Sequence, residues 1–399
     1  MINGFKIKTI QDVLIKHKTV LVRVDFNVTL TPQLKISDDL RIRQSLPTLN
    51  YLLKNDNKLI IISHLSNTKK GDKSRSLKPV AKHLQSLIKN YSVVLIDDFL
   101  SKEGQDKLQR QNTSQVVLLE NIRFYKGEED NNQAFAKKLS RLADIYVNDA
   151  FGVSHRKHAS IVSITKHIPS YAGLLLKHEV ETIMSLTKNP KKPVVSIIGG
   201  AKISTKIKFL RRLVELSDYI LLGGGIANTF LAAKGAIIGK SLYENSELHN
   251  AIKIISFARK RRAVLMLPTD AICGNKKSPS HLGHEYDITQ IPHDLAILDI
   301  GPRTKAEYGK IINKAQTIIW NGPMGYVEQE QYSRGTEFIF HTVTQNNTAF
   351  SLVGGGDTIA VISQEKHLSA INHLSTGGGA MIELIERSTL PGLEALKDL

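Results

Sequence analysis

Cysteine is almost absent from this 399-residue sequence. Cys273 stands alone, which excludes an intrachain disulfide and any site built from several thiolates, and leads us to expect a reducing, cytoplasmic setting. Aromatic residues make up only 6% of the chain, too few for the stacking platforms that hold single-stranded nucleic acid. Long apolar runs are also missing. The nearest, "YILLGGGIANTFLAAKG", is broken by glycines, Asn228 and Thr229, so no membrane span is expected. The opening "MINGFKIKTIQDV" has no apolar core of a secretory signal, and none is expected. Acidic residues are outnumbered, 37 against 54 basic, for a formal charge of +17. Such a charge suits polyanionic partners of any size. The densest basic runs, "KKGDKSR", "KNPKK" and "ARKRR", carry no interleaved aromatics, which favours a solvated basic surface over a nucleic-acid role. No "GxGxxG" opens a helix, which argues against a dinucleotide-dependent dehydrogenase.

What is present is an alternation of short β-branched runs with helix-length amphipathic segments, the pattern of parallel sheets with crossover helices. In the first half the strands read "TVLVRVDFN", "KLIIISHL", "SVVLID", "QVVLLEN" and "DIYVNDAF". The helical segment "LLLKHEVETIMSLTK" and the basic junction "KNPKKP" follow. A second series then runs "PVVSIIGG", "DYILLGGG", "AVLMLPTDA", "LAILDIG", "TIIWNGP" and "FSLVGGGD".

Ligands of open parallel sheets bind at the carboxyl ends of the strands, so strand-end residues describe the site. First-half strands finish in polar and charged groups: Arg23, Asp25 and Asn27; Ser63 and His64; Glu120, Asn121 and Arg123; Asn148 and Asp149, with His155 and Arg156 beyond. Second-half strands finish in glycines: Gly199 and Gly200, Gly223 to Gly225, Gly322, and Gly354 to Gly356 before Asp357. A cationic rim suits a small, multiply charged acid. A glycine rim lets backbone approach phosphates closely. The most obvious phosphate-loop lookalike, "KGAIIGKSL", has three residues rather than four between its glycines and is read as a helix stop followed by a turn.

In order along the chain, "RVDFNV" (Arg23 to Val28), "LLENIRF" (Leu118 to Phe124), "DIYVNDAFGVSHRKHAS" (Asp144 to Ser160), "GGAKISTKI" (Gly199 to Ile207), "WNGPMG" (Trp320 to Gly325), "GGGDT" (Gly354 to Thr358) and "STGGGA" (Ser375 to Ala380) resemble the phosphoglycerate kinases. The resemblance implies an α/β protein of two doubly wound parallel-sheet domains joined by a hinge helix, with a C-terminal segment returning to the N-terminal domain. The implied boundaries are 1–171 for phosphoglycerate, 172–189 for the interdomain helix, 190–374 for the nucleotide and 375–399 for the hinge and returning segment. It implies reversible phosphoryl transfer between 1,3-bisphosphoglycerate and ADP, giving 3-phosphoglycerate and ATP, with Mg²⁺ accompanying the nucleotide. It also implies a cytoplasmic monomer whose partners are these small molecules, not nucleic acid or membrane. Asp25, Asn27, Arg41, His64, Arg123 and Arg156 match family positions for the acid. Gly200, Ala201, Lys202, Lys206, Gly225, Asn321, Pro323, Glu328, Gly354, Gly355, Gly356, Asp357 and Thr358 match positions for the nucleotide.

A carboxylate acceptor is already ionised near neutral pH and needs no base, so cationic groups and positioning must carry catalysis. Arg41 and Lys202 are the expected catalytic cations, with Lys206 projecting from the same helical face as Lys202. Asp357 is expected to hold the magnesium and Glu328 the ribose; His64 and His155 are substrate-side candidates. Turnover is expected to need closure about Leu174 to Lys188. The chain departs from the family twice: Asn67 stands where a substrate-binding arginine is usual, and Thr205 where many members have aspartate. Lys69, Lys70 and Arg75 are candidates to supply the missing charge.

Overall fold

Strands rich in Val, Ile and Leu on both faces must be covered on both faces, which commits them to the middle of a helix–sheet–helix sandwich. The computed structural model, which describes residues 2, 5–66, 75–275, 283–362 and 368–397, shows two such sandwiches. Two compact units divide the chain: Met1–Thr182 with Arg387–Leu399, and Ile183–Glu386.

The first unit holds β1 (Thr19–Arg23), β2 (Lys58–Ile62), β3 (Ser92–Ile96), β4 (Gln115–Leu119), β5 (Ile145–Asn148) and β6 (Ser170–Ala172), all parallel, in the order β3-β4-β2-β1-β5-β6. Its helices are α1 (Leu40–Leu53), α2 (Lys78–Leu87), α3 (Lys102–Gln109), α4 (Lys126–Glu129), α5 (Gln133–Ser140) and the first part of α6 (Leu174–Lys188). Alternation sorts each strand between two cores. Val20, Val22, Leu59 and Ile61 face Ile42, Leu49 and Leu52 of α1 and Val80 and Leu84 of α2. Leu21, Ile60 and Ile62 face Phe99, Phe135 and Leu139 on the other side. Each fully buried aliphatic side chain contributes roughly 1.5–3 kcal/mol. These two layers therefore fix the sheet that carries the polar strand ends.

In the second unit β7 (Val194–Ile198), β8 (Tyr219–Leu222), β9 (Val264–Met266), β13 (Thr317–Asn321), β14 (Phe350–Gly354) and β15 (His373–Leu374) form a parallel sheet in the order β15-β14-β13-β7-β8-β9. Helices α7 (Ile207–Leu216), α8 (Gly224–Ala233), α9 (Leu248–Arg261), α10 (Pro302–Ile312), α11 (Arg334–Gln345), α12 (Gly356–Ile362) and α13 (Gly378–Arg387) accompany it. The short α14 (Pro391–Glu394) belongs to the first unit, where the Gly392 amide donates to the Ser154 carbonyl at 2.8 Å.

A further element lies outside the purely parallel scheme: β10 (Asp270–Gly274), β11 (His284–Asp287) and β12 (Ala296–Ile300) form a separate antiparallel sheet, β11-β10-β12. The run "AVLMLPTDA" is thus two strands in two sheets, and "LAILDIG" is antiparallel. Pro268 falls in the break between β9 and β10, where the chain leaves one sheet for the other. Among the described residues no helix is long and apolar enough to cross a membrane.

Candidate active site

In the first unit, the turn after β1 and the first turn of α1 converge. Arg41 donates through Nη1 to the Asn27 carbonyl at 2.9 Å and lies 3.4 Å from Asp25 Oδ2. Asn27 Oδ1 accepts the Ser66 amide, whose carbonyl in turn accepts Arg123 Nη1 at 3.0 Å. Ser66 holds a left-handed φ of 53°, which these contacts fix. Both ends of the segment that follows β2 are clamped from the end of β4. The Glu120 carboxylate accepts the Ser76 hydroxyl and the Leu77 amide at 2.6 and 2.7 Å, while Asn121 Nδ2 donates to the Leu65 and Arg75 carbonyls. Asn67, Lys69 and Lys70 lie outside the described residues.

His64 is buried beside Arg23 and Asp25, its Nδ1 3.4 Å from Arg23 Nη2 and 3.7 Å from Asp25 Oδ1. Burial, and then the surrounding cations Arg23, Arg123, Arg41 and Arg156, hold its pKa well below the usual histidine range. His64 is therefore a neutral hydrogen-bonding group. Burial and the nearby Arg156 also depress Arg123, so these two guanidiniums share a region of strong positive potential. Arg156 is exposed and makes no salt bridge among the described residues.

Sequence reasoning placed Arg23 at the strand end but gave it no role. Its side chain is fully buried, donating through Nε to Ser160 Oγ at 2.9 Å; Ser160 Oγ donates to Glu128 Oε1 at 2.6 Å. This chain of contacts supports His64 from behind. Its only sequence signal was a charged residue inside a β-branched run. His155 lies next to Arg156, and burial lowers its pKa.

In the second unit the strand order reverses between β7 and β13, so the loops after them open a crevice where open parallel sheets take ligands. Gly200, Ala201, Gly225, Pro323, Glu328 and Asp357, all anticipated, line one cleft there. Gly322 has φ +97°, and a Cβ on it would stand 2.3 Å from the Gly199 carbonyl oxygen, so no side chain fits. Asn321 Nδ2 donates to the Gly354 carbonyl, and Thr358 Oγ1 accepts the Gly322 amide. These two side chains brace the strand ends beneath the cleft. Gly355 and Gly356 lead from β14 into α12, whose first turn exposes Asp357.

The helical face expected for Lys202 and Lys206 is not there. Residues 200–206 form a loop, Gly200 at φ +99° and a turn closed by the Lys206 amide on the Ile203 carbonyl; α7 starts only at Ile207. Glu244 holds this loop by accepting the Ser204 amide and hydroxyl at 2.9 and 2.6 Å. Thr205 turns its hydroxyl onto the Lys202 carbonyl. Lys202 is exposed. Lys206 is half-buried, with Nζ donating to the Gly199 carbonyl at 2.9 Å, and burial pulls its pKa down to about 8 against the opposing pull of Asp357.

In the lookalike loop the Gly235, Ala236, Lys240 and Ser241 amides already donate to backbone carbonyls. The Lys240 amide donates to the Leu295 carbonyl at 2.8 Å, Gly239 bridges Ala296, and Ser241 Oγ accepts the Ile297 amide. The segment nevertheless walls the cleft through Leu242, together with Asn228, Met324 and Ile297 to Asp299, none of which was anticipated. Among the described residues no group of three or more His, Cys, Asp or Glu could hold a metal ion.

The family model for Phosphoglycerate kinase matches residues 10–388. The chain belongs to the phosphoglycerate kinase family. The phosphoglycerate kinase of Herpetosiphon aurantiacus is 43% identical over 98% of this chain and 99% of its own, and that of Koribacter versatilis 43% identical over 97% and 98%. The solved phosphoglycerate kinase of Coxiella burnetii superposes with a TM-score of 0.83 at 37% identity, covering 98% of both chains. Phosphoglycerate kinases are ATP-dependent phosphotransferases acting on a phosphoglycerate.

Proposed function

We propose that this chain carries out the family reaction, reversible phosphoryl transfer between 1,3-bisphosphoglycerate and ADP, with the acid on the cationic rim of the first unit and the nucleotide in the glycine-lined cleft of the second. The observation that carries the reading is the difference between the rims. Arg41, Arg123 and Arg156 surround the neutral His64 in one unit, and closely approaching backbone lines a switch-point crevice in the other.

The acid's carboxylate attacks phosphorus as an ionised nucleophile, so no residue is required as a base, and a neutral His64 serves as a hydrogen-bond partner. Asp25 and Asn27 orient the acid's hydroxyl and carboxylate side, and Arg123 and Arg156 meet its phosphate. Arg41 and Lys202 neutralise charge that spreads over the equatorial oxygens of the moving phosphoryl group. Lys206, pinned against the Gly199 carbonyl, faces the nucleotide phosphates, and Glu328 the ribose. Asp357 is one exposed carboxylate beside a phosphate site, a donor set that fits Mg²⁺, which takes few protein ligands and completes its shell with phosphate oxygens and water. When bound there the ion screens the nucleotide charge. The enzyme is read as a cytoplasmic monomer without nucleic-acid or membrane partners.

A coupled assay of ATP consumption tests the reading. Turnover is expected only when 3-phosphoglycerate and Mg²⁺ are both present. ATP consumption that is equal without the acid would overturn it.

A further inference from the structure

The amino-terminal ends of β1 and β2 lie at the opposite end of the first sheet from Asp25 and His64, six residues back along each strand or about 20 Å away. A cavity of about 600 Å³ opens there between α3 and the end of α5. That volume is in the range of sites that take small organic molecules, roughly 300–1,000 Å³. Ile60 and Phe99 lie almost fully buried behind the cavity, and partly exposed Leu100, Leu108 and Leu142 supply its apolar lining. Lys58, Lys138 and Arg141 line it as well, with Gln105 and Gln109 from α3.

None of these three cations makes a salt bridge among the described residues. Asp97 and Asp98 share an adjoining cleft with Lys138, while the other nearby carboxylates have partners of their own. Asp144 accepts the Thr19 amide at 2.8 Å, Glu103 pairs with Lys107 at 2.6 Å, and Asp98 accepts the Leu100 amide and the Tyr125 hydroxyl. The wall is firm where it meets the sheet, because buried Gln111 donates to the Leu59 and Gln115 carbonyls. Three like charges around one cavity repel one another, and an anion bound among them relieves that repulsion. Leu100, Leu108 and Leu142 give an organic body a surface that a bare inorganic ion does not use, and arginine offers a fork suited to a carboxylate, phosphate or sulfonate.

We propose that this cavity is a second ligand site, separate from the active site, that takes a small organic dianion with its charged groups among Lys58, Lys138 and Arg141 and its apolar body against Leu100, Leu108 and Leu142. The probe is 1,5-naphthalenedisulfonate, a rigid apolar body with two fixed charges, titrated calorimetrically into the full chain saturated with Mg-ADP and 3-phosphoglycerate. Saturable binding at one site is expected, with a sub-millimolar Kd. The double charge reversal Lys138→Glu/Arg141→Glu should weaken it by about tenfold or more. Gln105→Trp, an exposed helix position that fills the cavity without disturbing the core, should weaken it similarly and decides the matter if the double variant fails to fold. Arg123→Ala, in the active site, should leave it unchanged. Absence of saturable binding up to about 5 mM overturns the proposal. So does a Kd that Gln105→Trp leaves intact, or one that Arg123→Ala abolishes.

Discussion

Lys206 shows how one side chain connects burial to ligand binding. Burial lowers its pKa to about 8, so the free protein begins to lose this charge just above neutral pH. A bound polyphosphate favours the protonated lysine, which raises the pKa in the complex; binding then takes up a proton wherever the free lysine is deprotonated. Affinity for Mg-ADP is therefore expected to be steady below about pH 7 and to fall as pH rises through about 8. Calorimetry at pH 7 and pH 9 should show that loss in the wild type and a flatter profile in Lys206→Ala. An identical slope in both would remove Lys206 from the phosphate site. The sequence showed this lysine and its spacing from Lys202 but misassigned its setting, because a glycine-rich run that opens a helix and one that loops before it look the same in composition. Glu244, forty residues away, makes the difference by holding Ser204.

At the scale of elements, strands were legible because short β-branched runs recur between helix-length amphipathic segments, and strand direction was not, because buried parallel and antiparallel strands can both read as such runs. The sheet of β10, β11 and β12 was lost for this reason, and with it the Ile297–Asp299 wall of the cleft in the second unit. The start of α6 was legible from its apolar periodicity, but its cap was not. Asp149 Oδ1 accepts the Leu175 and Leu176 amides at 2.9 and 3.3 Å, and burial raises its pKa to about 7. A carboxyl held protonated in the fold favours the folded state at low pH, and that contribution is lost as pH rises from the unfolded value near 4 through about 7. Asp149→Asn keeps an acceptor without the buried charge. Its stability relative to wild type should improve as pH rises from 4 to 8, by on the order of a few kcal/mol. Denaturant melts at pH 5 and pH 8 check this, and a pH-independent difference would contradict the assigned pKa.

The segment between β2 and α2 belongs to the same scale, its ends held by Glu120 and Asn121. A charge-assisted contact to substrate is worth roughly 1.5–3 kcal/mol, about tenfold or more in affinity. If Lys69 and Lys70 make good the absent arginine, Lys69→Ala or Lys70→Ala raises KM for 3-phosphoglycerate and Asn67→Arg improves it only slightly. A roughly tenfold fall in KM from Asn67→Arg alone would show that nothing compensates.

For the whole molecule, two sheets of the same class end in opposite chemistries, charge in one and glycine in the other, and that contrast was readable from strand ends before any coordinates. What could not be read was the support behind it, such as Arg23 held through Ser160 to Glu128, since those residues meet only after folding. The central claim is that catalysis rests on cations acting on the phosphoryl group in flight, without a base. The most direct measurement pairs kcat at saturating 3-phosphoglycerate and ATP with the Kd for Mg-ADP, in wild type, Arg41→Ala and Lys202→Ala. Loss of one such contact typically costs on the order of 10²–10³ in rate. The account predicts a fall of that size in kcat for each variant with Kd changed by no more than a few fold, and a variant that keeps more than half of the wild-type kcat would contradict it.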